Sequence, residues 1–363
     1  MKKNKKAAEV DHLSLRVSLV LVIILTSVLL LLIKVATSPI LLSDIPLFSN
    51  SKDISDQPLD FKKEKPQSEK DKALYAKNLQ ELSSIIQAQN PKIALEELSH
   101  RVNSNNDIAS FCHALTHELG RISYAKYKNL DTTLSYQDDV CGSGYLHGVI
   151  ESRIGNAKNI LEELRTVCMP MHQGRCYHAA GHGLMFYTAN NLPKALDLCD
   201  FYTKSQKIYC LEGVFMENYI TDQKTHPSKY LNSQDPFFPC RGQNALREEI
   251  CYFYTPRYYV EELHKNDYKG ALDMCDKSGN AHKISCTRGV GSVLAKHNFK
   301  EPKTIEALCM SGQKNQVASC IDGALGYYIV NFNSVQKGYD LCNGFADSHN
   351  KYVCYQAVPA HAN

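Results

Sequence analysis

Four times in this chain a cysteine is followed eleven residues later by another: Cys199 and Cys210, Cys240 and Cys251, Cys275 and Cys286, Cys309 and Cys320. Two looser copies flank them, Cys168 with Cys176 and Cys342 with Cys354. The first cysteine closes a short phrase of helical spacing, as in ALDLC at 195–199, ALDMC at 271–275 and IEALC at 305–309. The second opens another such phrase, often with glycine three residues on, as in CLEG, CTRG and CIDG. The unit recurs every 31 to 41 residues. A period of that size, with few strand-like segments, marks stacked helical hairpins. Helix A ends at one cysteine, a loop follows, and helix B begins at the next.

A disulfide across such a loop restricts the unfolded chain by about 3 kcal/mol in the chain-entropy account. Short helices that bury little surface alone need a staple of this kind. The C-x10-C spacing is long for a zinc knuckle, so disulfides are expected rather than thiolate ligands. Two of the 14 cysteines are left over, Cys112 and Cys141. Both open a B-type helix, and adjacent B helices start near each other, so these two are expected to pair. The expected fold is all-α: an N-terminal transmembrane helix followed by an α-solenoid of disulfide-stapled helical hairpins. Its repeats divide into residues 73–190, rich in histidine, and residues 191–363, where the cysteine pairs dominate.

The transmembrane expectation rests on residues 17–36. Val17 to Ile33 carries no charge, and Lys34, Val35 and Ala36 extend the run to about 20 residues, enough to cross a bilayer as a helix. The basic tail at 1–16, with Lys2, Lys3, Lys5, Lys6 and Arg16, sets the N-terminus in the cytoplasm and exports the rest. A cleaved signal peptide fits less well, because the apolar run exceeds an ordinary h-region and Pro39 follows the small-residue site. Residues 43–71 are polar, hold three prolines and read as a linker. A membrane-anchored, extracytoplasmic location agrees with the disulfides. The net charge of +3 falls entirely within residues 1–16, so the rest is neutral, which excludes a dedicated nucleic-acid binder.

The first three B-type segments differ from the later ones. They read FCHALTHELGR at 111–121, VCGSGYLHGVIESR at 140–153 and RCYHAAGHGLMFY at 175–187. Each carries a pair of metal-ligand types four residues apart: His113 and His117, His147 and Glu151, His178 and His182. Residues four apart on a helix point the same way, so one helix offers two ligands to one ion. Three such pairs on neighbouring helices are expected to converge on one or two transition-metal ions. Imidazole suits zinc, copper and iron alike, so the metal is not resolved.

Glycines cluster beside these histidines, at 120, 144, 148, 181 and 183. Glycine inside a helix costs about 0.5–1 kcal/mol relative to alanine, so a ligand, a substrate or a neighbouring helix is expected close to the backbone there. Arg121, Arg153 and Arg175 flank the three segments and are candidates to hold an anionic small-molecule substrate. HALTH lacks the glutamate of H-E-x-x-H, and no P-loop or nucleophile-elbow motif occurs. Two functions follow. One is a metal-dependent enzyme carried by the first repeats. The other is a non-enzymatic scaffold that binds a protein partner and uses its histidines structurally. The tyrosine-rich CYFYTPRYYV at 251–260 supports the second if its rings are exposed.

Overall fold

The computed structural model describes residues 69–361 apart from 105, 110, 170–172, 221–227 and 333. The expected transmembrane helix at 17–36 and the linker up to residue 68 lie outside the described residues. No helix among the described residues is long and apolar enough to cross a membrane.

All regular structure among the described residues is helical. Helices α1 (Glu69–Ala88) and α2 (Pro91–Ser104) precede α3 (Cys112–Tyr127) and α4 (Val140–Gly155). Then follow α5 (Ile160–Thr166), α6 (Gly174–Tyr187), α7 (Leu192–Cys199), α8 (Lys204–Ile220) and α9 (Ala245–Tyr258). The last are α10 (Tyr268–Asp276), α11 (Lys283–His297), α12 (Pro302–Met310), α13 (Val317–Phe332), α14 (Val335–Gly344) and α15 (Ser348–Ala357). Local chemistry sets the starts. Asn191, Asn244, Asp267, Ser334 and Asp347 each stand before a helix and accept from the backbone N–H three residues on. These are the preferred N-cap residues, and each satisfies an orphan donor.

All seven disulfides join the cysteines that the spacing pairs, including Cys112 with Cys141, and no cysteine is free. Their Cα atoms lie 5.3–5.7 Å apart. The hairpin reading holds, with one exception. Cys240 is reached through turns over 228–243, with no A helix before α9.

The B helices α3, α4, α6, α8, α9, α11 and α13 pack side by side in chain order, and α7 and α12 each bridge two of them. A solenoid stacks its units with two free ends. Here α13 returns to lie against α4, and a Cβ at Gly142 would meet the Asn331 backbone at 3.5 Å. Six B helices, α4 to α13, thus close into a ring, and α3 packs against α4 and against α1 and α2. The period sets the size of a hairpin. The rotation from one hairpin to the next, which decides between an open and a closed array, depends on packing.

Helix α4 is the joint between two apolar clusters. Tyr145 and Val149 pack with α1, α2 and α3, whereas Leu146, Ile150 and Ile154 pack with the downstream hairpins. With 100° between successive residues, His147 and Glu151 fall beside the Leu146–Ile150–Ile154 stripe and away from Tyr145 and Val149. The tyrosine-rich segment lies on α9 and its π-helical extension, and Tyr252 and Tyr258 are buried in the core. Phe253, Tyr254 and Tyr259 are half-buried.

Glycine brings α3 and α4 together. A Cβ at Gly148 would stand 1.9 Å from the His117 carbonyl oxygen, and one at Gly120 would stand 2.2 Å from that of Tyr145. Each helix thus presses its backbone into the other's glycine. Gly181 and Gly213 do the same between α6 and α8. The close neighbour that the glycines called for is a helix.

Candidate metal centre

The close approach of α3 and α4 puts histidines of two helices within reach of one another. His113 and His117 stand one turn apart on α3, with Nε2 atoms 3.0 Å from each other. His147 of α4 brings Nδ1 to 3.3 Å from His117 Nε2. One ligand nitrogen from each of these three lies within 4.8 Å of the others, so the trio is close enough to hold a metal ion. On α6, His178 and His182 repeat the pattern, with Nε2 atoms 3.1 Å apart. The His147 ring lies between the two pairs, its centroid 5.1–5.4 Å from those of His117 and His113 and 5.3–5.9 Å from those of His178 and His182. All five expected imidazoles therefore meet in one place.

Their outward nitrogens face acceptors. His113 Nδ1 donates to the Cys141 carbonyl at 2.6 Å. His182 Nδ1 donates to Glu217 Oε2 at 2.8 Å, and His117 Nδ1 stands 3.2 Å from Glu151 Oε1. A neutral imidazole that donates from Nδ1 presents a lone pair at Nε2. The Cys141 carbonyl reaches His113 because Cys141, Gly142 and Ser143 all adopt left-handed backbone, with φ of 57°, 70° and 62°. Non-glycine residues there cost of order 1 kcal/mol each, and the surroundings hold them. The Cys112 disulfide fixes Cys141, while Asp139 accepts from Ser143 Oγ at 2.7 Å and from Arg175 Nη1 at 2.7 Å.

Glu151 belongs to the cluster, with one oxygen hydrogen-bonded and the other beside an imidazole. Oε1 faces His117, and Oε2 accepts from Arg121 Nη1 at 2.6 Å. Glu217 plays the matching part for His182. Sequence reasoning passed over it, because the segment CLEGVFMEN lacks histidine. The signal was indirect: a ligand histidine needs an acceptor for its other nitrogen, and a buried glutamate on the next helix supplies one. The three flanking arginines are ion-paired, Arg121 with Glu118 and Glu151, Arg153 with Glu163, and Arg175 with Asp139.

Burial, reinforced by the surrounding histidines, pushes His147 and His178 well below the usual imidazole range. Both are therefore neutral, the form that binds metal. In the unfolded chain each takes a proton below about pH 6.5, so the unfolded state then binds more protons and these two sites oppose folding as pH falls. The slope approaches about 1.4 kcal/mol per pH unit for each. In metal-free protein, histidine NMR signals of residues 147 and 178 are expected to stay neutral as pH passes below 6.5. An ordinary midpoint at both would contradict this account. Near His178, Glu212 Oε2 lies 3.9 Å from Nδ1, and burial pushes its carboxyl up to about 7.

A cleft lined by His113, Ala114, His117, Arg121, His182 and Met216 leads to the imidazoles. No family model, curated protein or solved structure matches the chain.

Proposed function

We propose that this protein is a membrane-anchored, extracytoplasmic metalloprotein whose centre binds a transition metal through His113, His117 and His147, and that the centre is catalytic. One observation carries the reading. His113 commits its Nδ1 proton to the Cys141 carbonyl, and His117 directs Nδ1 at a carboxylate, yet their Nε2 atoms face each other at 3.0 Å. With the His117 proton also at Nδ1, toward Glu151, both Nε2 lone pairs are free to bind one cation between them. Tetrahedral ligands at about 2.0–2.2 Å from one ion stand roughly 3.3–3.6 Å apart, so the 3.3 Å from His147 to His117 fits and the 3.0 Å pair needs to open by a few tenths of an ångström.

Glu151 supports the site by orienting His117 rather than by binding the ion. Three imidazoles leave a coordination position open, and the cleft beside them has room for about one water molecule. A bound zinc, copper or iron ion would supply a Lewis acid or an acidified water at that position. The seven disulfides favour an oxidising compartment, and residues 17–36 supply the anchor.

Elemental analysis of the full-length chain, purified in detergent without chelators, tests the metal reading. At least one zinc, copper or iron ion per chain is expected, and chelator-stripped protein should take up zinc again. Protein that is metal-free as purified and takes up none of these three metals would overturn it.

A further inference from the structure

The centre has a second half that a single ion leaves unexplained. His178 and His182 copy the geometry of His113 and His117 closely. Their Nε2 atoms are 3.1 Å apart against 3.0 Å, and their ring centroids 4.9 Å against 4.6 Å. Both pairs hold their planes at 66° to each other. In each pair the second histidine directs Nδ1 at a fully buried carboxylate on the following B helix, Glu151 for His117 and Glu217 for His182. The duplication lies at the level of the supporting shell as well as the rings. A carboxylate buried to orient an imidazole is costly unless that imidazole has a task.

We propose that the centre is dinuclear, with a second transition-metal ion held by His178 and His182 beside the one held by His113, His117 and His147. This rests on the metal-centre reading above. Five imidazoles exceed what one four-coordinate ion with an open position takes. The His117 and His182 rings, which belong to different pairs, have centroids 6.2 Å apart, and His147 stands between them. Two ions in a site of this kind are commonly about 3.5–4 Å apart and clamp one oxygen-bearing substrate group between them. The second ion has two imidazole ligands of its own. Beside them Glu212 brings an oxygen to 3.9 Å from His178 Nδ1.

The test uses chelator-stripped full-length protein titrated with cobalt(II), read by elemental analysis and by electron paramagnetic resonance. Two cobalt ions per chain are expected, with the signal of the first attenuated by magnetic coupling as the second binds. The coupling is read in the unmodified chain and needs no variant to fold. His178→Ala is expected to bind one cobalt with the uncoupled signal restored, and His178→Gln to behave likewise. One ion in the unmodified chain, retained by His178→Ala and lost in His113→Ala, would overturn the second site and leave the first standing. Two ions without coupling, neither lost in the His178 variants, would also overturn it. No cobalt bound at all would overturn both.

Discussion

His117→Ala loses metal binding at the three-histidine site. His117 is the hub of that trio, because its Nε2 faces His113 at 3.0 Å and His147 at 3.3 Å. Its removal leaves two imidazoles on separate helices without the third that joins them. Affinity for zinc, measured by competition with a chromophoric chelator, should fall by more than about 100-fold. Glu151→Gln should cost less, within the roughly 10- to 100-fold typical of an outer partner of a ligand histidine. The order matters as much as the size. If Glu151→Gln costs more than His117→Ala, the carboxylate is a ligand and the assignment of roles is reversed. If His117→Ala binds zinc as tightly as the unmodified chain, this trio is not the site.

Gly148→Ala gives the second large effect, on stability. The added methyl would lie 1.9 Å from the His117 carbonyl oxygen and 2.8 Å from its carbon, and both belong to helix backbone. A flexible side chain can swing away from such a clash, whereas here α3 and α4 must separate. Overpacking commonly costs about 1–3 kcal/mol, and a backbone clash places this variant at about 3 kcal/mol or above. Gly242→Ala is the comparison. Its φ is +82°, but nothing lies within 4 Å, so only backbone strain of about 1–2 kcal/mol applies. Urea unfolding under non-reducing conditions should rank Gly148→Ala well below Gly242→Ala. Because the same separation moves His147 from His117, the glycine variant should also bind zinc more weakly. Equal stability of the two variants would contradict the close-packing account.

Much of this molecule was legible before any coordinates, for a definite reason. Cys199 and Cys210 bracket a short loop between two helices, so their pairing follows from local geometry. Cys112 and Cys141 needed only the further idea that neighbouring B helices start together. The i, i+4 histidines were legible because helical periodicity is itself local. Other features depend on the rotation and spacing between helices, which no short window carries. Closure of the ring by α13 against α4 is one, and the service of Glu217 to His182 from the next helix is another. Glu151 shows the limit in a single residue. Its spacing from His147 makes it a ligand candidate, and only the packing of α3 on α4 turns its oxygens to His117 and Arg121. The glycines lay between these cases. Their cost in a helix announced a close neighbour, and the neighbour's identity came from the fold.

In an open stack of repeats each unit feels only its neighbours, so damage at one end fades before it reaches the other. This chain has a seam instead. The point that a Cβ at Gly142 would occupy lies 3.4 Å from His113 Nδ1 and 3.5 Å from the Asn331 backbone. The carbonyl that steers His113 thus sits where the earliest and latest parts of the ring touch, almost two hundred residues apart along the chain. As the polypeptide is made from its N-terminus, all five histidines emerge long before α13 exists to press on that spot. The turn that carries this carbonyl gains its last neighbour only when the final helix of the ring arrives, so synthesis order leaves that support for the end.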